Sequence, residues 1–390
     1  MQLHFSDEDE AFRAELLGWL EEHPPPFEAE AADPPGSSAD QRPWAREWQR
    51  TLFDAGYLVP GWPPEHGGRN ANAVQQMIYF EEMTGRKIRR TCNPQGLAII
   101  TPSILDHGTP EQIERFALPT LRAEISWCLG MSEPNAGSDL AALSTRAVRD
   151  GDSYVVNGQK VWTSGAQHAD WCLCFVRTDP TAAKHKGISV LIIDMRSPGI
   201  EHRPIMELTD HDYADFCEVF FTDVVVPVEN LVGQEDDGWR LSMGSLAHER
   251  AMLWISYAYQ LQSALAGLVA IGKERGAGER YRDEVASTAI DAVALQALGY
   301  RGFAKFVKGQ ASPEHSILKL FGSESLQRAM DLGADELGPD LSDLDLDGPR
   351  VWRQGSFATQ YLRSFCATIP GGTSEIQRNI IAERVLGLPR

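Results

Sequence analysis

The chain has 390 residues, of which 43% are hydrophobic and 23% charged. This is the composition of a soluble globular protein, and the length favours two or three subdomains over a single simple core. The formal net charge of -19 argues against binding to nucleic acid or to an anionic membrane, since both would repel the protein. It does not exclude a phosphate-bearing ligand, because local backbone N–H groups can bind phosphate on an acidic protein.

Nothing in the sequence predicts export or membrane insertion. The first residues, MQLHFSDE, have neither the basic region nor the apolar run of a secretory signal. No apolar run approaches the roughly 18 residues that a membrane helix needs. We therefore expect a cytoplasmic protein. The six cysteines are scattered without a zinc-binding pattern, which predicts reduced, mostly buried side chains and no metal site.

The N-terminal zone has a helical pattern. An apolar stripe at helical spacing is formed by Phe12, Leu16, Leu17, Trp19 and Leu20. Prolines, a glycine and serines then predict an exposed loop over residues 23–43. Further helices are predicted at residues 44–55, 73–83, 94–107 and 111–121.

The pattern changes to strands after residue 125. Residues 146–158 predict a β-hairpin with an Asp-Gly turn. Strands are also predicted at 171–177, 188–194 and 218–226, and Cys172 and Cys174 should face the same side of the sheet. Because no helical repeats lie between these strands, we expect an antiparallel β-barrel or sandwich rather than a Rossmann sheet.

The C-terminal zone is helical again and predicts a four-helix bundle. The helices are expected at residues 239–271, 283–308, 312–332 and 374–386. The acidic stretch 331–348 contains glycine and proline, and it predicts a loop between helices. The fold class is therefore α+β, with an N-terminal α-helical domain at 1–124, a β-domain at 125–234 and a helical bundle domain at 235–390.

Four motifs follow one another along these three zones. They read MSEPNAGSDL at 131–140, NGQKVWTSGA at 157–166, FTDVVVP at 221–227 leading to Gly238-Trp239, and YLRSFCATIPGGTSEIQRN at 361–379. In order and spacing they resemble the acyl-CoA dehydrogenase family across nearly the whole chain. The resemblance implies an FAD-dependent enzyme that removes hydrogen from the α- and β-carbons of an acyl-CoA thioester, and electron-transfer flavoprotein as the acceptor.

The resemblance also implies which residues bind FAD. They are Leu129, Met131, Ser132, Gly137, Ser138, Trp162, Thr163, Ser164, Thr373 and Glu375. The Ser132 hydroxyl would contact the pyrimidine edge of the flavin, Trp162 would lie beside the ring, and the Ser164 hydroxyl would reach N5. Each motif by itself also has a simpler interpretation: the first as a surface turn with a cap at Ser138 or Asp139, the second with Trp162 as a core aromatic residue.

The catalytic base is not where many family members have it. Their glutamate occupies the position of Gly371, which lacks a carboxylate but retains the N–H that would polarise the thioester carbonyl. A minority of the family has the glutamate on a bundle helix before an arginine, and Glu249-Arg250 matches that position. The resemblance thus implies Glu249 as base, beside Arg250, although such a pair is also common as an exposed helix ion pair. Ser138, Gly371 and Gly372 are the implied substrate-binding residues.

Two departures from the family concern the part of the cofactor site that one subunit lends to its neighbour. The Arg-x-x-Phe-Gly motif is missing from residues 271–280, and DLGADELG at 331–338 replaces a glycine-rich adenosine loop. We therefore hypothesise a hetero-oligomer with a related acyl-CoA dehydrogenase subunit. Residues 147–151, 177–180 and 184–189 resemble the actinobacterial branch that shortens steroid side chains and forms heterotetramers. A branched or steroid side-chain acyl-CoA is the expected substrate. The alternatives are a non-catalytic partner subunit and a flavin-dependent oxidase on the same scaffold.

Overall fold

The computed structural model describes residues 5–26, 42–208, 214–241, 253–308, 314–342 and 357–389. The chain divides into two compact units: Met1–Gln76 with Arg89–Glu249, and Met77–Ile88 with Arg250–Arg390. The three-domain boundaries expected at residues 124 and 234 divide the chain differently and stay a prediction.

Helices form the N-terminal part of the chain. They are α1 (Asp7–Glu22), α2 (Pro43–Asp54), α3 (Ala73–Gly85), α4 (Thr101–His107), α5 (Pro110–Gln112) and α6 (Leu118–Leu121). The first begins at a capping box in which Ser6 and Asp9 satisfy each other's backbone N–H groups. It buries Phe12, Leu16 and Leu20, which are members of the predicted stripe. Most of the predicted loop at 23–43 lies outside the described residues.

A π-helical turn, Gly96–Ile100, precedes α4. A Cβ at Gly96 would overlap the Asn93 amide, so glycine is needed for this close approach. Asn93 in turn bonds both backbone groups of Trp127, at 2.9 Å each. The Asn93 side chain therefore fixes the first strand of the sheet to the helices.

Seven strands form one curled sheet. They are β1 (Trp127–Gly130), β2 (Arg146–Asp150), β3 (Ser153–Lys160), β4 (Trp171–Arg177), β5 (Ile188–Asp194), β6 (Ile200–Pro204) and β7 (Cys217–Pro227). The order is β1-β4-β2-β3-β7-β6, and β5 pairs with β4. The pairings are antiparallel except β1 with β4 and the single-residue contact of β2 with β4. The α+β class is confirmed, as is the hairpin of β2 and β3, whereas β1 and β6 were not predicted.

The sheet is buried on both faces along β4 and β5. Cys172 and Cys174 of β4 belong to one core cluster, and Leu173 and Phe175 belong to another that includes Phe116 from the helical part. The prediction that the two cysteines share a face is confirmed. Because both faces are covered, β4 and β5 read as continuous apolar runs rather than as alternating patterns.

The second compact unit is helical. Its helices are α7 (Leu253–Arg275), α8 (Glu279–Val307), α9 (Glu314–Leu337), α10 (Phe357–Ala367) and α11 (Ser374–Ile380), followed by a π-helical turn at Ile381–Val385. Helix α9 packs against α7, α8, α10 and α11, as expected for a bundle. Among the described residues, none of the helices has the length and apolarity needed to cross a bilayer.

The prediction of a loop at 331–348 is wrong for the first residues of that stretch. Helix α9 continues to Leu337, while residues 343–350 lie outside the described residues. Gly333 does not break the helix: a Cβ there would overlap the ring of Phe357, so the glycine lets α10 pack closely. The helix instead ends before Gly338, whose φ of 57° is typical of a glycine helix terminus.

Candidate cofactor and active site

The structure brings the first two motifs together. The Val161 N–H donates to the Ser132 carbonyl at 2.9 Å, and the Lys160 ammonium donates to the Met131 carbonyl at 3.1 Å. Leu129 lies just upstream, half-buried in β1. The backbone that leaves β1 is thus held against the end of β3. Met131 and Ser132 therefore lie on the same surface as the segment that contains Trp162.

A buried ion pair lies behind this surface. The Lys160 ammonium is 2.8 Å from a carboxylate oxygen of Glu133, and both side chains are almost fully buried. Glu133 also accepts hydrogen bonds from the Ser144 N–H, the Ser144 hydroxyl and the Thr145 N–H. Burial by itself would raise the pKa of Glu133, but the Lys160 ammonium and the bonds from Thr145 lower it to about 2.

Trp162 is exposed and its backbone is strained. Its φ of 59° lies in the left-handed region that non-glycine residues seldom adopt. The residue is 59% exposed, and its ring meets the Phe216 ring edge-on with the ring centroids 5.9 Å apart. The simpler interpretation of Trp162 as a core aromatic residue is therefore wrong. Such strain in an exposed residue is typical of a ligand-binding position.

The strained conformation is held by the start of β7. The Thr163 N–H donates to the Cys217 carbonyl at 3.0 Å, and the Gly165 N–H donates to the Asp215 carbonyl at 2.7 Å. These backbone bonds fix the loop on both sides of Ser164. The sequence reasoning did not assign Asp215 or Cys217 to the site, because nothing in the motifs indicates which strand closes the loop.

Three hydroxyl groups near Trp162 have no hydrogen-bond partner among the residues that the structure describes. The Thr163 hydroxyl is buried and has no hydrogen-bond partner among the described residues. The Ser132 and Ser164 hydroxyls likewise make no hydrogen bond to that part of the chain, although Ser164 is only 8% exposed. A buried hydroxyl without a partner is costly, so this surface is suited to a polar ligand with a flat ring.

Gly137 and Ser138 lie apart from these groups. Both are exposed beyond a tight turn in which Glu133 and Ala136 exchange two backbone hydrogen bonds of 3.0 Å. Asp139 does not cap the following helical turn; its carboxylate pairs instead with Lys184. The open space around Gly137 would let a ligand approach the backbone closely.

The C-terminal motif lies in the second unit. Gly371 and Gly372 have φ values of 68° and 97°, and the Gln377 amide donates to the Gly371 carbonyl at 2.9 Å. The Thr373 hydroxyl caps α11 by accepting the Ile376 N–H at 3.3 Å. The Gly371 N–H has no hydrogen-bond partner in the described parts of the chain, so it is free to donate to a ligand.

The same unit contains a cavity of about 410 Å³ between α9 and the C-terminal motif. Its lining is mostly polar and charged: Glu324, Gln327, Arg328, Asp331, Thr368, Ile369, Thr373, Ser374, Glu375 and Arg378. Arg378 and Glu324 form an ion pair of 2.6 Å across it. Two of the predicted cofactor residues, Thr373 and Glu375, therefore line a cavity.

The predicted residues thus form two groups, from Leu129 to Ser164 in the first unit and from Gly371 to Glu375 in the second. The predicted base Glu249 and its neighbour Arg250 lie outside the described residues. Glu133 and Lys160 were not assigned a role from sequence. The available signal was a carboxylate in the first motif and an ammonium in the second, in stretches made mostly of small and apolar residues.

Comparison with known proteins agrees with this architecture. Three family models match: acyl-CoA dehydrogenase N-terminal domain at residues 6–124, middle domain at 128–224 and C-terminal domain at 236–386. The chain is 36% identical over 392 residues to acyl-CoA dehydrogenase IpdE1 of Mycobacterium tuberculosis (strain ATCC 25618 / H37Rv), covering 98% of each protein.

Solved structures give the same result. The "Tcur3481-Tcur3483 steroid ACAD" superposes with a TM-score of 0.84 at 28% identity, covering 100% of both chains. The ChsE4-ChsE5 complex from Mycobacterium tuberculosis superposes with a TM-score of 0.82 at 31% identity, also over 100% of both chains.

The fold and these matches define a flavoprotein oxidoreductase. The chain belongs to the acyl-CoA dehydrogenase family, and its cofactor is FAD. The residues present fit this group: the Trp162 face suits a flat ring, and the hydroxyls of Ser132, Thr163 and Ser164 suit its polar edge.

Proposed function

We propose that this chain catalyses the α,β-dehydrogenation of an acyl-CoA thioester, with Glu249 as the base that takes the α-proton. The observation that supports this most is the exposed, strained Trp162 beside hydroxyls that have no partner in the described part of the chain. FAD, when bound, supplies the acceptor for the hydride that leaves the β-carbon. The chain itself must hold the ring, exclude water, polarise the carbonyl and remove the proton.

Carbonyl polarisation is assigned to the Gly371 N–H. That N–H has no partner among the described residues, and the Gln377 amide holds the Gly371 carbonyl at 2.9 Å. Both observations fit a preorganised donor. The φ of 68° also favours glycine over glutamate at this position. A carboxylate at residue 371 is thus disfavoured, which agrees with a base on the bundle helix. Ser138 and Gly372 are also proposed to bind the substrate.

The role of Glu249 is tested by Glu249→Gln in the assembled, FAD-loaded enzyme. We expect turnover to fall by about 10²- to 10⁴-fold, as for loss of a general base, with FAD content unchanged. Glu274→Gln, at an exposed position of α7, is the matched control and should keep its turnover. If the assembly that contains Glu249→Gln retains full turnover, Glu249 is not the base. That result would favour the alternative in which this chain is a non-catalytic partner subunit.

We further propose a hetero-oligomer with a related acyl-CoA dehydrogenase subunit. The two missing cofactor motifs support it, as does an exposed apolar stripe on α8, where Ile290 and Val293 are each 68% exposed. Solved relatives named as the ChsE4-ChsE5 complex and the Tcur3481-Tcur3483 steroid ACAD also support it. The chain should be expressed alone and with the related subunit encoded beside it. Full FAD occupancy and activity of the chain by itself would rule the hetero-oligomer out.

The substrate is proposed to be a branched or steroid side-chain acyl-CoA, since a structural relative is named a steroid ACAD. Anaerobic absorbance changes of the flavin with short, branched and steroid acyl-CoAs would rank the candidates.

Electron-transfer flavoprotein is the proposed acceptor. Oxygen consumption that exceeds reduction of an electron-transfer dye would instead indicate an oxidase.

A further inference from the structure

The Lys160–Glu133 ion pair is unusual in its position. Lys160 is fully buried and Glu133 is 6% exposed, so neither charge is solvated by bulk water. A buried ion pair is poor evidence for stability, because the cost of desolvating both charges offsets much of their attraction. The reason for its presence is therefore to be sought in the groups that it holds in place.

Those groups belong to the segment that leaves β1. The Lys160 ammonium donates to the Met131 carbonyl at 3.1 Å as well as to Glu133 at 2.8 Å. The next residue, Val161, donates its N–H to the Ser132 carbonyl at 2.9 Å. Both carbonyls of the Met131–Ser132 segment are thus held by consecutive residues at the end of β3.

The segment is fastened on its other side through Glu133. One carboxylate oxygen accepts both the N–H and the hydroxyl of Ser144 at 2.7 Å, and the other accepts the Thr145 N–H at 2.8 Å. With the bond from Lys160, the carboxylate accepts four hydrogen bonds. Such a network fixes the backbone more narrowly than apolar packing could, since apolar side chains would leave these donors unpaired.

The same strand end also carries Trp162, two residues after Lys160. One short stretch, 160–162, therefore orients both the Met131–Ser132 segment and the exposed aromatic ring. With its carbonyls occupied, the donors that this segment offers to a ligand are its N–H groups and the Ser132 hydroxyl. The Met131 carbonyl and the Ser132 N–H belong to one planar peptide unit, so the bond from Lys160 to that carbonyl sets the direction of the Ser132 N–H.

We propose that Lys160 and Glu133 are positioning residues for the cofactor: the ion pair sets the direction of the Ser132 N–H and so the affinity for FAD. The proposal rests on the placement of FAD beside Trp162 and Ser132 made above. It does not rest on Glu249 or on the identity of the acyl chain.

The test measures FAD affinity by titrating the apoprotein and following flavin fluorescence, in the assembly that binds FAD. We expect Lys160→Met and Glu133→Gln each to weaken FAD binding by about ten- to a hundredfold, the usual range for loss of an outer-shell partner. The double variant should bind FAD no more weakly than the single variant with the lower FAD affinity, since both changes break one network. Glu133→Gln keeps the shape of the side chain, so its FAD affinity tests the proposal even if Lys160→Met does not fold.

The control separates positioning from general stability. Gln49 is another buried polar side chain of the same unit, and its amide bonds the Thr120 carbonyl at 2.8 Å. Gln49→Met should lower the melting temperature and leave the FAD affinity unchanged. The proposal is overturned if Lys160→Met and Glu133→Gln bind FAD as the wild type does, or lose no more affinity than Gln49→Met at an equal loss of stability.

Failure of the inference differs from failure of the function proposed for the site. If Trp162→Ala weakens FAD binding and the ion-pair variants do not, FAD lies where proposed and only the positioning role falls. If Trp162→Ala binds FAD normally, the cofactor placement falls and the inference falls with it. Loss of turnover with FAD fully bound would concern the base alone.

Discussion

At the residue scale, Glu133 shows how a carboxylate can be buried and remain charged. Burial raises its pKa, but the Lys160 ammonium and the hydrogen bonds from Thr145 reverse the shift and hold the pKa at about 2. The carboxylate is therefore ionised in the folded protein at every pH at which an enzyme of this kind works. This allows the ion pair to keep its geometry without titrating.

The depressed pKa predicts a pH dependence of stability. Because the pKa of Glu133 in the folded protein lies below its ordinary value of 4.5, the ionised carboxylate stabilises the fold above pH 4.5. This contribution is lost as the pH falls toward 2. From the shift we expect a loss of about 3 kcal/mol in the free energy of unfolding across this window. Glu133→Gln should remove this part of the acid dependence and should also destabilise the protein at neutral pH, because Lys160 then lacks its partner.

The measurement is urea unfolding of the wild type and the variant at several pH values from about 6 to about 2. Glu229→Gln, at an exposed carboxylate, is the control and should keep the acid dependence of the wild type. A Glu133→Gln protein that loses stability with acid as steeply as the wild type would contradict the assignment.

At this scale, sequence reasoning selected motifs whose residues the structure brings together, but it did not assign a role to Glu133 or Lys160. Trp162, Thr163 and Ser164 were singled out from the second motif, and the structure places all three at one loop. Sequence reasoning could not find the ion pair between Glu133 and Lys160, because 27 positions separate them and the contact depends on how β1 and β3 lie in the sheet. The exposure of Trp162 was also undetermined, since tryptophan is usually buried.

At the element scale, the helices of the second unit meet through glycines and aromatic rings. A Cβ at Gly299 of α8 would overlap the Trp254 ring of α7, and a Cβ at Gly322 of α9 would lie 2.9 Å from the Cβ of Tyr257. Gly333 meets Phe357 in the same way. These glycines allow close helix approach, so their presence in a sequence does not indicate a loop.

This gives a test of the corrected α9. Gly333→Ala should destabilise the protein by about 1–3 kcal/mol, because the added methyl overlaps the Phe357 ring and the core is already packed. In an ordinary helix the same substitution stabilises by about 0.5–1 kcal/mol. Gly18→Ala in α1, where nothing lies within 4 Å of the added Cβ, is the control with that expected gain. Urea unfolding compares the two, and equal gains would show that Gly333 makes no close contact.

At the scale of the whole molecule, the exposed stripe on α8 is the feature that bears on assembly. Ile290 and Val293 lie three residues apart on one helix face, and Ala294 and Ala297 extend the same exposed face. Large exposed aliphatic side chains in a row are typical of an interface. Because α8 belongs to the second unit, the bundle is the part of the chain expected to meet a partner subunit.

Ile290→Glu should weaken this association by at least about tenfold, since a charge at the centre of an apolar contact loses its hydration. Light scattering over a range of concentrations measures the assembly, and circular dichroism checks that the helices persist. Val148→Glu places the same charge on an exposed residue of β2 and should not affect assembly. If both variants dissociate equally, or neither does, α8 is not the contact surface.

The sequence by itself determined the family, the order of helical and strand zones, and the bounds of strands such as Trp171–Arg177 and Ile188–Asp194. The family follows from the resemblance of the four motifs, and the zones and strand bounds follow from patterns between residues close in the chain. Only the tertiary structure decided that Lys160 meets Glu133, that Trp162 is exposed in a strained conformation, and that Gly333 lies inside a helix. Each of those depends on which distant element packs against the residue, and local patterns carry no information about that partner.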